Sequence, residues 1–138
     1  MNDLEFAFRR PLEIAGTTRK ASVLLVEGLD DSLVPNHATE SAAYQLGLPH
    51  LAPVQRAVPF LSVVTGPVRA NLDPETTGAF FQYVPVGVPG IPETPSCVLE
   101  PEGHYCAQSA VESVEQRTHF FQSGLGDAPP EIIDPFAE

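Results

Sequence analysis

A continuous apolar run near the start of the chain constrains its fold most. The seven residues from Ala21 to Glu27 comprise six apolar or small residues and one acid, and they are rich in valine and leucine. An unbroken apolar run of this length is typical of a strand buried on both faces, as in a parallel sheet covered by helices. The run therefore predicts an α/β fold with parallel strands and flanking helices.

The residues that follow this run predict a turn and then a helix. Pro35 ends the extended segment, and Asn36 is a residue type that caps helices well, so a helix is expected to start there. The stretch from His37 to Leu46 is rich in alanine and free of helix breakers. Gly47 suits the left-handed position that closes a helix. Residues 21–47 thus form strand, turn and helix, which is half of a βαβ unit.

Prolines dominate the middle of the sequence. The chain contains fifteen prolines, many of them clustered between Pro49 and Pro101. Such a density predicts long irregular connections, because proline lacks the N–H that helices and sheets use. We expect Pro-rich loops over residues 48–103, with a short strand within 60–66 and an aromatic-rich sheet strand near 79–86.

The last third of the chain predicts a Gly-His turn and a terminal helix over residues 104–124, which Gly124 ends. Apolar or small residues recur there at steps of three and four, which predicts one helix stripe facing the core. The stripe consists of Ala107, Val111, Val114, Thr118 and Phe121. Residues 1–20 are expected to be a leader segment and residues 125–138 an extended tail lying over the surface. All 138 residues are expected to form a single, partial domain.

Charge and hydropathy exclude several classes of partner. The net charge is −11, with only seven lysines and arginines available to meet phosphates. We therefore expect no nucleic-acid partner and no attraction to an anionic membrane surface. No apolar stretch reaches the length of a membrane span, and "MNDLEFAFRR" lacks the apolar core of a signal peptide. No cofactor is expected.

Two short segments carry groups suited to chemistry. "GLDDSLVP" (Gly28–Pro35) follows the predicted strand directly, and "EGHYC" (Glu102–Cys106) precedes the last helix. Ligands and reactive groups in open α/β sheets sit beyond the carboxyl ends of strands. A histidine that follows a glycine can project into a cleft without steric hindrance. The alternative is that the aspartates only form a solvated turn and that His104 is an ordinary loop residue.

Taken in order, these features resemble the C-terminal half of an α/β-hydrolase, in which the catalytic triad runs Ser, Asp or Glu, His. "EGLDDSLVP" looks like the acid turn of that family, and "EGHYCAQ" is similar to its Gly-His turn. More specifically, "EGLDDSLVPNHATESAAYQLGLP" resembles a bacterial group of secreted lipase-like hydrolases, and the resemblance spans residues 20–125. It implies that Asp31 is the acid, with Asp30 as the alternative, and that His104 is the base.

The resemblance implies acyl transfer as the reaction and an ester or lipid as the substrate of the complete enzyme. Asp31 would accept the Nδ1 hydrogen of His104 and stabilise the imidazolium that forms during turnover. His104 would take the proton of a serine hydroxyl and return it to the leaving alcohol. Full-length members of the resembled group are typically secreted, whereas these residues carry no recognisable signal peptide.

The serine nucleophile of such a triad is missing from this sequence. A nucleophile elbow needs Gly-x-Ser-x-Gly at a sharp turn between strand and helix, and none of the eight serines stands between glycines at that spacing. They are Ser22, Ser32, Ser41, Ser62, Ser96, Ser109, Ser113 and Ser123. We therefore expect a chain that holds Asp31 and His104, lacks the nucleophile half and is inactive alone.

A missing half would leave the strand over residues 22–27 with an unpaired edge, which is an aggregation hazard. We expect self-association, or pairing with a separate chain that carries the serine half. An alternative function from another class is a noncatalytic interaction or oligomerising module derived from the same fold.

The two cysteines allow two further predictions. Cys97 and Cys106 lie nine residues apart on either side of His104, and the resemblance to secreted enzymes favours a disulfide between them. Closing so short a loop stabilises a fold by about 2–3 kcal/mol in the chain-entropy model. In a reducing compartment the same residues would be unpaired buried thiols.

A small metal-binding domain is the remaining alternative. Cys97, His104 and Cys106 offer three ligands, and His119 or Asp31 offers a fourth. Structural zinc sites usually contain close Cys-x-x-Cys or His-x-x-x-His pairs, and this sequence has neither. We therefore assign no metal site.

Overall fold

Residues 12–14, 17–86, 88 and 102–137 are described by a computed structural model. Its strands are β1 (Leu12–Ile14), β2 (Thr17–Arg19), β3 (Val23–Gly28), β4 (His50–Leu51), β5 (Val63–Val64), β6 (Val68–Arg69), β7 (Gly78–Tyr83) and β8 (Glu131–Ile132). Its helices are α1 (Asn36–Leu46), α2 (Gly103–Ser109) and α3 (Val111–Ser123).

The central feature is a four-stranded parallel sheet with the strand order β3-β7-β4-β5. β3 pairs with β7 in register from Val23 opposite Gly78 to Gly28 opposite Tyr83. β4 pairs in parallel with β7 on one side and with β5 on the other. Two antiparallel pairs, β1 with β2 and β6 with β8, lie outside this sheet. The predicted α/β class with parallel strands and helices is therefore confirmed.

Helices cover both faces of the sheet. Phe81 and Tyr83 belong to one apolar cluster, which includes residues of α2, whereas Phe80 packs with Ala43 and Leu46 of α1 in a second cluster. Successive side chains of a strand point to opposite faces, so β7 supplies the core of both layers. Every residue of β7 is buried.

β3 is the terminal strand of the sheet, and within the described part of the chain it pairs only with β7. Its first four residues, Val23 to Val26, are only half-buried, although their sequence is typical of a strand covered on both faces. The sequence prediction of full burial is wrong here, because no described strand lies on the outer side of β3. The expected unpaired edge is present among the described residues.

The turn after β3 differs from the prediction in one detail. α1 starts at Asn36, and Gly47 closes it in the left-handed conformation with φ 66° and ψ 30°. Asn36 does not cap the helix, because Pro35 occupies the cap position and no side chain bonds there. Instead the Asn36 amide donates to the Gly28 carbonyl at 2.7 Å and accepts the Asp30 N–H at 3.1 Å. Asn36 thus braces the turn between strand and helix.

The middle of the chain holds more sheet than the prolines suggested. β5 lies inside the predicted 60–66 stretch. β7 ends at Tyr83 instead of residue 86, since Pro85 has no N–H for a ladder. The two-residue strand β4 lies inside the sheet. A loop was predicted there, since two residues are too few to show a strand periodicity. Residues 89–101 lie outside the described part of the chain.

The predicted terminal helix is two helices. Ala110, with φ −54° and ψ 137°, separates α2 from α3. The predicted core stripe is wrong in α3, where Val111, Val114 and Phe121 are 66%, 46% and 69% exposed. The non-helical residue resets the phase of the helix, so a stripe counted from Ala107 does not continue into α3.

Polar residues face the core from α3 instead. Ser113 and Gln116 are fully buried. The Ser113 hydroxyl donates to the Ala107 carbonyl, and the Gln116 amide donates to the Ile133 carbonyl at 2.7 Å. Gln116 also accepts a hydrogen bond from the Tyr83 hydroxyl at 2.9 Å. These hydrogen bonds offset the free-energy cost of burying polar side chains. A hydrophobic pattern in the sequence does not reveal them.

The two ends of the chain complete the fold. In the predicted leader segment 1–20, β1 and β2 pair with each other, and residues 1–11 lie outside the described part. The predicted surface tail 125–138 contains β8, whose Ile132 is fully buried in the core. Among the helices that are described, none has the length and apolar character needed to cross a bilayer.

Candidate functional site

The acid turn and the Gly-His turn meet beyond the carboxyl end of β3. His104 Nδ1 lies 3.1 Å from Asp31 Oδ2, although the two residues are 73 positions apart in the sequence. A Cβ atom added at Gly28 would overlap the Gly103 carbonyl, and one added at Gly103 would overlap the Leu29 carbonyl. Glycine is required at both positions because the two backbones touch.

Asp31 is held as an ionised hydrogen-bond acceptor. Its Oδ1 accepts the N–H groups of Leu33 at 2.8 Å and Val34 at 2.7 Å, and its side chain is only 9% exposed. Partial burial by itself raises the pKa of the Asp31 carboxyl. The N–H groups of Val34 and Leu33, together with His104, outweigh that effect and lower the pKa below its ordinary value of 3.8. The carboxylate is therefore charged at neutral pH and oriented toward His104.

The structure pairs Asp31, and not Asp30, with His104. Asp30 is exposed and adopts a left-handed backbone with φ 60°. Asparagine and aspartate tolerate this conformation better than most residues do. Its N–H is bound by the Asn36 amide oxygen. Asp30 therefore shapes the bend that positions Asp31.

Glu102 ties the two turns together and was not selected from the sequence. Its Oε1 accepts the Ser32 N–H at 2.7 Å, and its Oε2 accepts the Tyr105 N–H at 3.3 Å at the start of α2. These bonds, the one from Ser32 foremost, lower the pKa of the Glu102 carboxyl. The available signal was an acid three residues before Tyr105, in the position of a helix cap.

The second ring nitrogen of His104 has its own partner. Nε2 lies 2.7 Å from Nε2 of Gln108, one helical turn further along α2. Because the Asp31 carboxylate can only accept, Nδ1 carries the hydrogen and Nε2 of the neutral ring accepts the Gln108 N–H. The imidazole is 26% exposed. Spacing of four residues on a helix was the signal that could have indicated Gln108.

A small notch of about 180 Å³ opens beside this pair. Its walls come from both faces of the sheet, because β3 has no described neighbour on its outer side. Val26, Ala107, Gln108 and Arg117 line it with Glu27, Gly28, Asp31, Val34, Asn36, Thr39 and His104. The notch is polar around the carboxylate and the imidazole and is continuous with the open strand edge.

Glu27 is a buried acid at the end of β3, next to the acid turn. Its Oε1 accepts the Gln82 amide N–H at 2.9 Å and lies 3.8 Å from the Arg56 guanidinium. In the part of the chain that the structure describes, its Oε2 has no hydrogen-bond partner. Burial is the main cause that raises the pKa of Glu27 to about 7, with the nearby Glu40 adding to it, while Gln82 and Arg56 act in the opposite direction.

Among the serines that the structure describes, none bonds to His104. Among the described residues, its ring nitrogens contact Asp31 and Gln108. The Ser32 N–H is bound by Glu102, and the Ser109 hydroxyl donates to the Tyr105 carbonyl. Ser96 lies outside the described residues. The described serines thus offer no nucleophile hydrogen-bonded to the base.

The cysteine predictions fall partly outside the described residues. Cys106 belongs to α2 and is fully buried in the core. Cys97 lies outside the described part, so the disulfide stays a prediction. His119 pairs with Glu131 at 2.9 Å, and among the described residues no group of three His, Cys, Asp or Glu is placed to hold a metal ion.

Comparisons of this chain with protein-family models, with curated proteins and with solved structures found no match in any of the three. The class of this protein is therefore stated from its own fold and site. This is a mixed α/β protein with a parallel sheet, and a carboxylate–imidazole pair lies at the carboxyl end of its terminal strand.

Proposed function

We propose that this chain supplies the acid and the base of a serine ester hydrolase of the lipase or esterase type. The nucleophile would come from a polypeptide segment outside these 138 residues. The observation that carries the proposal is the 3.1 Å contact between His104 Nδ1 and Asp31 Oδ2. It places both groups beyond the carboxyl end of a parallel strand, where such sites are built.

The contact supports a defined proton path. Asp31 holds the Nδ1 hydrogen, so Nε2 of His104 is the basic nitrogen. Nε2 would take the hydroxyl proton as the serine oxygen attacks the ester carbonyl, and would then give it to the departing alcohol. In the second stage Nε2 would take a proton from water as the water oxygen attacks the acyl carbon, and would return it to the serine oxygen as the acyl–serine bond breaks. Asp31 would stabilise the imidazolium at each stage.

The open edge of β3 supports docking of the serine-bearing segment there. A strand added in parallel to β3 would end at the same edge of the sheet as Asp31 and His104, because parallel strands point the same way. The notch of about 180 Å³ lies along this edge. The added strand would therefore bring its following turn toward the basic nitrogen.

Exposed apolar residues on α3 offer a second surface for a partner. Arg117 lines the notch together with Val26, whereas Phe121 lines a separate cleft of about 500 Å³ together with Ser22, just before β3. Arg117 and Phe121 of α3 thus each share a cleft with a residue of β3 or just before it, and Val114 and Phe121 are exposed. Large apolar side chains left exposed on a helix are typical of an interaction surface.

The test begins with hydrolysis of a short-chain p-nitrophenyl ester by the purified chain and by a His104→Ala control. We expect equal background rates. The chain is then co-expressed with a polypeptide encoded in an adjacent reading frame that contains Gly-x-Ser-x-Gly. Turnover should appear in the complex and disappear with His104→Ala. Turnover by the chain alone that depends on His104 would contradict the proposal that the nucleophile lies elsewhere.

A noncatalytic interaction or oligomerising module is the second candidate, favoured by the open edge of β3 and the exposed residues of α3. It predicts a stable complex, either with a partner or with further copies, that forms equally well with His104→Ala. It also predicts that no assembled form hydrolyses esters. Hydrolysis that requires both His104 and a partner serine would exclude this candidate.

A further inference from the structure

The basic nitrogen of His104 is already occupied in the chain on its own. Nε2 of the neutral imidazole has one lone pair in the plane of the ring. The Gln108 amide donates into that lone pair at 2.7 Å. A serine hydroxyl would have to donate to the same lone pair before it could lose its proton. The two donors therefore compete for one acceptor.

We propose that Gln108 blocks His104 Nε2 in the isolated chain, and that a nucleophile hydroxyl reaches this nitrogen only after the Gln108 side chain turns away. This inference rests on the proposed function for its biological meaning. The contact itself is defined by the residues of this chain.

The position of Gln108 is fixed by α3. The Arg117 guanidinium donates to the Gln108 carbonyl and, through Nε, to the Ser113 carbonyl at 3.2 Å. The last carbonyls of a helix lack partners within that helix, and the arginine supplies one here. The end of α2 is thereby held in place, and from this backbone the Gln108 side chain reaches back one turn to His104.

The amide suits this role because it offers both a donor and an acceptor. Its N–H groups satisfy the neutral imidazole, and its carbonyl oxygen could accept from an imidazolium after a rotation of the amide. Gln108 can therefore cover Nε2 in either charge state. The side chain is exposed and lines the notch at the β3 edge. A segment that docks in this notch would meet Gln108 and displace it.

Modification of His104 by diethyl pyrocarbonate tests the proposal, since this reagent reacts with the free lone pair of a neutral imidazole. The rate at His104 is followed by peptide mass spectrometry, with the exposed His37 of the same molecule as the reference. Gln108→Ala should raise the His104 rate about two- to tenfold, the factor expected for loss of one neutral hydrogen bond. Gln108→Asn should act in the same direction, because its side chain is one methylene shorter.

Gln122→Ala is the matched control, since it removes an exposed glutamine from α3 away from His104. Its His104 rate should equal that of the wild type. Equal rates in the wild type, Gln108→Ala and Gln108→Asn would overturn the proposal. The assay needs no nucleophile. If no complex ever hydrolyses an ester while the rates change as expected, the hydrolase proposal fails and the blocked nitrogen stands.

Discussion

Two glycines decide whether the site can form at all. Gly28 and Gly103 let the end of β3 and the start of α2 come into backbone contact, and this contact brings Asp31 and His104 to 3.1 Å. A glycine before each of these residues was visible in the sequence. The need for glycine at both positions comes from the contact between two turns that are distant in sequence, which a local pattern does not reveal.

Gly103→Ala tests this contact. A methyl group at position 103 would overlap the Leu29 carbonyl, so the turns must separate. We expect the free energy of unfolding to fall by about 1–3 kcal/mol, as for other overpacked sites. Gly126→Ala is the control, because no atom lies within 4 Å of its added Cβ. Urea denaturation should leave the control within about 0.5 kcal/mol of the wild type. A similar loss in both variants would contradict the account.

The buried Glu27 predicts a pH dependence of stability. Its pKa is raised from 4.5 to about 7 in the folded state, so the unfolded chain loses this proton first as the pH rises. The free energy of unfolding should therefore decrease between about pH 4.5 and pH 7, by about 3 kcal/mol at 1.36 kcal/mol per unit. Below pH 4.5 the acid is protonated in both states and has no such effect.

Glu27→Gln isolates this effect. The variant should be more stable than the wild type at pH 8 and similar to it near pH 4, as measured by urea denaturation at both values. Glu115→Gln, on the exposed surface of α3, is the control and should follow the wild type. A difference between wild type and Glu27→Gln that does not change with pH would contradict the raised pKa.

At the scale of elements, sequence patterns located most of the fold but misjudged what each face contacts. The strand at β3, the helix α1 with its Gly47 end, and the strand at β7 follow from local signals. The two-residue β4 and the break at Ala110 do not, because both depend on packing between distant segments. The site followed the same rule. The sequence singled out Asp31 and His104 from their turns, and these side chains meet in the structure, whereas it did not single out Glu102 and Gln108.

The sequence predicted Phe121 of α3 in the core, but the structure buries Ile132 of the tail and leaves Phe121 exposed. This difference gives a direct prediction. Phe121 is exposed, so Phe121→Ser should change the free energy of unfolding by no more than about 0.5 kcal/mol. Ile132 is fully buried, so Ile132→Ala should cost about 2–5 kcal/mol. Thermal and urea unfolding of both variants measure this. A larger loss of unfolding free energy for Phe121→Ser than for Ile132→Ala would contradict this account and support the core stripe predicted from the sequence.

At the scale of the whole molecule, an open strand edge and exposed apolar residues are combined with a net charge of −11. The edge and the apolar residues favour association, whereas like charge opposes association between copies. Salt weakens this repulsion, since the Debye length falls from about 30 Å at 0.01 M to about 3 Å at 1 M. The balance between these terms decides whether isolated chains associate.

We therefore expect the purified chain to self-associate more strongly as salt concentration rises. Light scattering coupled to size exclusion measures the mass, and a Val114→Lys, Phe121→Lys double variant should shift it toward the monomer. Both substituted residues are exposed, so the fold should persist. A sharp monomer peak with a cooperative melt at every salt concentration would show that the open edge does not drive self-association.

The pairing of Asp31 with His104 is the central claim, and one measurement tests it most directly. Ester hydrolysis by the complex with a serine-bearing partner should be compared between Asp31→Asn and Asp30→Asn. Asp31→Asn should lower kcat by about 10³- to 10⁴-fold, because an amide no longer holds the Nδ1 hydrogen in place. Asp30→Asn should keep nearly full activity, since Asp30 only shapes the bend. Equal activity of the two variants would contradict the assignment of Asp31 as the acid.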